Sequence, residues 1–146
     1  MYAIKCKQLI DGTGKEPLDN AVVLIEGERI TEVGVVTSVT IPDDCEIVDA
    51  SSHTVMPGMM DAHVHVRMTG DPLDKFGVHT EVTELLGTTV LKAYVSAKRD
   101  LESGFTAIRD IASRCYEDIA LRNAINEGLI QGPRMRVAGL GLTVTG

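Results

Sequence analysis

From Met59 to Val66 the chain alternates in character. Met59, Asp61, His63 and His65 fall on one side, and Met60, Ala62, Val64 and Val66 on the other. A period of two predicts a strand. Its wholly apolar side suits packing beneath helices, and its other side grows polar toward the C-terminal end. Pro57-Gly58 marks the start, because proline lacks the N–H that a central strand position uses. Upstream, Ala21 to Ile25 is a continuous apolar run, Glu26-Gly27-Glu28 a tight turn, and Arg29 to Val33 an alternating return, which together predict a hairpin. Ile47 and Val48 follow the Pro42-Asp43-Asp44 turn as a further short strand. Downstream the period changes. Val82, Leu86, Val90, Ala93, Tyr94, Ala97 and Leu101 recur at helical spacing, with Gly87 as an interruption and Ser103-Gly104 as a C-cap. Phe105 to Asp110 then reads as a strand, Tyr116 to Glu127 as a helix stopped by Gly128, and Arg134 to Ala138 as a third strand. Residues 1–54 are therefore expected to be β-rich. Residues 55–146 are expected to alternate strand and helix, the pattern of a parallel sheet with crossovers.

Composition narrows the function classes. A net charge of −7 and a pI near 5.0 supply no basic footprint for nucleic acid. Three Tyr, two Phe and no Trp offer little for a base-stacking platform. No run of 18 apolar residues is present, and the N-terminus lacks the apolar core of a signal peptide. Cys6, Cys45 and Cys115 are odd in number and widely spaced, which argues against a disulfide framework and fits a cytoplasmic setting. Asp11-Gly12-Thr13-Gly14 lacks the lysine and helix start of a phosphate loop and reads as a plain turn.

The chemistry is concentrated at His63 and His65. At roughly 3.3 Å rise per residue, two such side chains stand about 6–7 Å apart along one side of a strand. Both imidazoles can then approach one ion at about 2.0–2.1 Å. The bland alternative is a pair of hydrogen-bonded core histidines. Two on one side, with Asp61 a layer below, favour metal ligation. Neutral imidazole suits zinc best, although two ligands leave manganese, iron, cobalt or nickel open. Asp61 has two readings of equal weight: it orients a ligand imidazole, or it bonds backbone groups as any buried carboxylate must. His53 and His79 stand alone and are not read as ligands.

The run Pro57-Gly58-Met59-Met60-Asp61-Ala62-His63-Val64-His65 resembles the hallmark of the amidohydrolase superfamily of metal-dependent hydrolases. Other segments are similar to that family too: Ile10 to Gly14 with Val22 to Gly27, then Asp100 to Asp110, then Ile130 to Gly139. They resemble the branch of imidazolonepropionase-like and prolidase-like enzymes. The resemblance implies an α/β fold, the first part of a (β/α)8 TIM barrel preceded by a small β-sandwich domain. Residues 1–54 would belong to the sandwich and 55–146 to the first three strand-helix units. It also implies one or two divalent ions, most plausibly zinc, and hydrolysis of an amide, dipeptide or cyclic amide by a metal-activated water. Dipeptides, N-acyl amino acids and imidazolone-like rings are the implied substrates. The remaining ligands would be a carboxylated lysine or glutamate on strand four, histidines on strands five and six and an aspartate on strand eight. That aspartate is also the family's general base, and it is expected beyond Gly146.

In the barrel reading, Asp110 ends the second strand on the side where such sites gather. An N-cap or loop hydrogen bond is nevertheless its favoured role, and Arg109 is expected to partner a neighbouring carboxylate. Arg67 begins the loop Arg67-Met68-Thr69-Gly70-Asp71-Pro72 over the metal. Its functional reading is a bidentate contact to a substrate carboxylate; its default is exposure to solvent. Thr143 and Thr145 follow the third strand as candidates for lining the substrate pocket.

A barrel of this kind needs about 250 residues, whereas the chain has 146. The 146 residues are therefore expected to be an N-terminal portion with little hydrolase activity of its own. A second reading is a truncated or split barrel that self-associates or needs a complementary chain. A third, a metal-binding β-barrel of the cupin type, is disfavoured by the helical stripe from Val82 to Leu101.

Overall fold

A computed structural model describes residues 1–68, 70, 83–142 and 144. The chain forms two compact units, Met1–Pro57 and Gly58–Gly146.

The first unit is a mixed four-stranded sheet of β1 (Tyr2–Leu9), β2 (Leu18–Glu26), β3 (Arg29–Val35) and β4 (Glu46–Val55), in the order β3-β2-β1-β4. The predicted hairpin is β2–β3, turning at Gly27, where φ is +60°. Its partner β1 runs antiparallel to β2 and parallel to β4. The apolar run of β2 is continuous because both of its faces are covered. Val22 and Leu24 pack with Ala3 and Val39, while Ala21 and Val23 pack with Cys6 and Leu9. β4 is longer than Ile47-Val48 alone suggests. Asp49 to His53 carry little hydrophobic pattern, and the strand is set by pairing of Glu46 to Ala50 and of Thr54 and Val55 with β1, on either side of a register shift. The Asp11 loop is a tight turn, with the Asp11 carboxylate accepting the Thr13 N–H at 2.8 Å.

The second unit is a three-stranded parallel sheet of β5 (Met59–Val64), β6 (Phe105–Asp110) and β7 (Arg134–Val137), in that order. Helix α1 (Leu86–Glu102) connects β5 to β6, and α2 (Glu117–Asn126) connects β6 to β7. The architecture is thus α/β, with one mixed and one parallel sheet. α1 ends at Ser103, and Gly104 takes φ +95° as the C-cap pattern predicts. Ala93 and Ala97 of the predicted stripe are fully buried, and Val66, Ile108, Leu121 and Met135 complete that core. Leu86 departs from the expectation: it lies in the first helical turn and is half exposed. Val82 lies outside the described residues. Gly58 is required by a close approach, since a Cβ there would fall 2.2 Å from the Thr106 hydroxyl.

The simple alternation from Met59 to Val66 does not survive pairing. The β5–β6 register shifts between Met59 and Met60 and again between Asp61 and Val64. Met60 then stands beside Ala107, and Asp61 beside Ile108, which is buried under the helices. Each one-residue shift exchanges the two faces of a strand. Met60 is accordingly 74% exposed rather than packed beneath helices, and only Val64 and Val66 return to the helix-covered core.

Candidate metal centre

His63 is the penultimate residue of β5 and His65 lies just past its end, at the C-terminal edge of a parallel sheet. Their rings are adjacent, with centroids 5.6 Å apart and planes at 79°. His63 is exposed and His65 partly buried. The Nδ1 atom of His65 is buried and has no hydrogen-bond partner among the described residues. A buried ring nitrogen without a partner is costly unless something occupies it. A divalent cation meets that need, and two imidazoles form a borderline donor pair suited to zinc. The residues therefore fit the cation, as a partial site. No group of three or more His, Cys, Asp or Glu side chains suited to a metal occurs among the described residues.

Around the pair, carboxylates tie backbone segments together. Asp61 Oδ1 accepts the His63 N–H at 2.9 Å, so Asp61 makes a backbone bond of the kind its structural reading foresaw. It also lies near α1, where its charge adds to burial in raising the pKa of Asp100, against the lowering effect of Arg99. Asp110 is almost fully buried; its Oδ2 accepts the Val66 N–H at 2.9 Å and its Oδ1 the Ala112 N–H at 3.1 Å. Burial pushes its carboxyl pKa up. The two N–H groups and His65 pull it down, while the Asp118 charge adds to the rise. Asp118 Oδ2 in turn accepts the Gly139 N–H at 2.8 Å, fastening the segment after β7.

Arg67 meets Glu117 across 3.8 Å, an ion pair that the sequence did not indicate because fifty residues separate the two. Arg109 was expected to partner a carboxylate. Instead its Nε donates to the Ala62 carbonyl at 2.7 Å, because the interrupted ladder leaves that carbonyl beside β6. Thr143, Thr145, His79, Thr69, Asp71 and Pro72 lie outside the described residues. His53 belongs to β4, where its Nδ1 sits 2.9 Å from the Ser52 hydroxyl. A recess of about 340 Å³ is lined by Met60, Ala62, Ala107, Arg109, Arg134 and Arg136 among others.

Glu117 is shifted in the opposite direction to Asp100 and Asp110, and its titration bears on stability. Burial alone would raise its pKa. The N–H groups of Arg114, Glu117 and Cys115 and the Arg67 charge outweigh burial and hold it below the ordinary glutamate range. A folded-state pKa below the unfolded one gives stability that is present above the unfolded value and lost as pH falls through the folded value. Glu117→Gln is expected to cost about 1–3 kcal/mol at neutral pH. The gap from the parent should shrink on acidification below about pH 4.5, the ordinary glutamate value. Urea titrations at several pH values measure this, and a gap independent of pH would count against it.

Residues 54–145 match the amidohydrolase family. Over 108 residues, 69% of this chain and 26% of the relative, the chain is 31% identical to imidazolonepropionase from Streptomyces avermitilis. Over 48 residues, 33% of this chain and 11% of the relative, it is 40% identical to dihydroorotase from Mycobacterium leprae. Among solved structures it is similar to a Xaa-Pro dipeptidase with methionine bound in its active site. The TM-score is 0.80 and the identity 28%, covering 95% of this chain and 33% of that one. The chain thus spans a third or less of the length of each of these relatives.

Proposed function

The chain belongs to the amidohydrolase family, and on that premise we propose that it is the N-terminal portion of a metal-dependent hydrolase of C–N bonds. The observation that carries the proposal is the adjacent imidazole pair at the end of a parallel strand, with His65 Nδ1 buried and without a hydrogen-bond partner among the described residues. His63 and His65 would hold the ion, with zinc the best match to their donor chemistry. Such an ion, when bound, supplies Lewis acidity toward a carbonyl and makes water a nucleophile near neutral pH. The chain's own contribution is to hold the two rings, back them with Val64 and Val66, and tie down the following turn through Asp110. The general base and further ligands are assigned to strands beyond these. Residues 55–146 would be the first three units of a (β/α)8 barrel, and residues 1–54 part of a small β-sandwich.

The proposed substrates are small molecules with an amide, dipeptide or cyclic amide bond. This follows the relatives named imidazolonepropionase, dihydroorotase and Xaa-Pro dipeptidase. Three cysteines without disulfides support a cytoplasmic setting, and no helix among the described residues is long and apolar enough to cross a membrane. A second reading, a portion inactive until a complementary chain or second copy joins it, is favoured by the exposed Met60 and, among the described residues, by one unpaired edge on each of β5 and β7.

The test is a hydrolysis assay with Xaa-Pro dipeptides, N-acyl amino acids and cyclic amides. It uses the product of the whole reading frame that carries these residues, with and without added zinc. Metal-dependent release of product is the expected result. No turnover of any of the three classes by a metal-loaded product would overturn the proposal. Activity of the 146 residues only in the presence of a complementary chain would select the second reading.

A further inference from the structure

We infer that Arg109 and Asp110 are positioning residues that grip the His63-Val64-His65 segment from both ends. The inference rests on the reading of the two histidines as metal ligands. Where the β5–β6 ladder breaks, between Asp61 and Val64, regular strand pairing no longer determines where the first imidazole stands. Side chains take over that role. Arg109 Nε donates to the carbonyl of Ala62, the residue before His63, at 2.7 Å. Asp110 Oδ2 accepts the N–H of Val66, the residue after His65, at 2.9 Å. Consecutive residues of a strand project to opposite faces. Arg109 accordingly lies exposed and Asp110 is 1% exposed. The two therefore hold the segment from opposite sides, and β6 itself is held by its ladder to β7 through Ala107 to Asp110. The histidine segment is thus referenced to the most regular strand pair of the unit. Outer partners that fix ligand orientation commonly alter metal affinity by about 10–100-fold when removed.

The experiment begins on the full 146-residue chain without metal. Amide hydrogen exchange is followed by NMR for the parent, Asp110→Asn, Arg109→Met and Arg109→Lys. Asparagine keeps one carbonyl oxygen for the two N–H donors that Asp110 serves, and exchange at Val66 is expected to rise about tenfold or more. Arg109→Met removes the donor and is expected to speed exchange at His63, with Arg109→Lys, which keeps a donor, lying closer to the parent. Unchanged protection at Ala93 and Ala97 reports an intact fold. Should Asp110→Asn lose that protection, the Met and Lys pair at the exposed position 109 decides the matter. Cobalt(II) is then titrated with visible absorption as readout. Asp110→Asn and Arg109→Met are expected to bind about 10–100-fold more weakly with altered band positions. Parent-like exchange and parent-like cobalt spectra in both variants would overturn the inference. Equal cobalt binding by parent and His63→Ala/His65→Ala would instead overturn the ligand reading, while the metal-free exchange data still judge the grip.

Discussion

Replacing His63 and His65 together by alanine is expected to remove stoichiometric binding of a divalent metal. The two rings lie 5.6 Å apart, and among the described residues no cluster of three or more donors offers an alternative. Losing both imidazoles should therefore exceed the about 10–100-fold loss that follows removal of an outer partner. Both changes fall at the end of β5. His63 is exposed, and the His65 Nδ1 has no hydrogen-bond partner among the described residues, so the substitutions remove no hydrogen bond at that atom. Stability should change little, by less than about 1 kcal/mol, in the range usual for such sites. Metal analysis by plasma mass spectrometry, with the melting temperature as control, distinguishes the outcomes. Equal zinc stoichiometry in parent and double variant would remove these residues as ligands.

Leu121→Ala should give the largest loss of stability in the second unit. The side chain is 1% exposed and packs within the cluster of Val66, Ala93, Ala97, Ile108 and Met135. Leucine-to-alanine changes at such sites cost about 2–5 kcal/mol, through lost transfer energy and the cavity left behind. The cluster joins α1, α2, β6, β7 and the residue after His65, so one cavity loosens every element that carries the site. Urea denaturation followed by helical circular dichroism should show a lower midpoint. Exchange protection at Ala93 and Ala97 should fall, while amides of β1 and β2, which belong to the other unit, change little. A midpoint within error of the parent would show that this cluster is not the unit's core.

Much of the architecture is legible from patterning alone. The apolar run of β2, the hairpin at Gly27, the stripe of α1 and the cap at Gly104 depend on local periodicity and turn chemistry, which are properties of neighbouring residues. Other features are not local. β4 extends to Val55 because β1 pairs with it, although Asp49 to His53 lack any hydrophobic alternation. Met60 faces outward because the ladder to β6 slips twice, and no single-strand pattern encodes a partner's register. Leu86 matches the helical spacing, but it lies in the first helical turn and remains half exposed.

The candidate site divides in the same way. His63 and His65 are readable in sequence because two donors at i and i+2 on an extended segment are brought together by backbone geometry itself. The attachments that hold them are not readable. Asp110 reaches Val66 across 44 residues, Arg109 reaches Ala62 across 47, and Arg67 meets Glu117 across 50. Short-range spacing is enough to read most of the elements and the proposed ligand pair His63 and His65, because periodicity and an i, i+2 step are local properties, whereas β1 and the full length of β4 are not read that way. Which face each strand residue takes, and which buried carboxylate serves which backbone N–H, emerges when the elements assemble. Those outcomes depend on the register between strands and on satisfying every buried polar group at once, and both are set when distant segments meet.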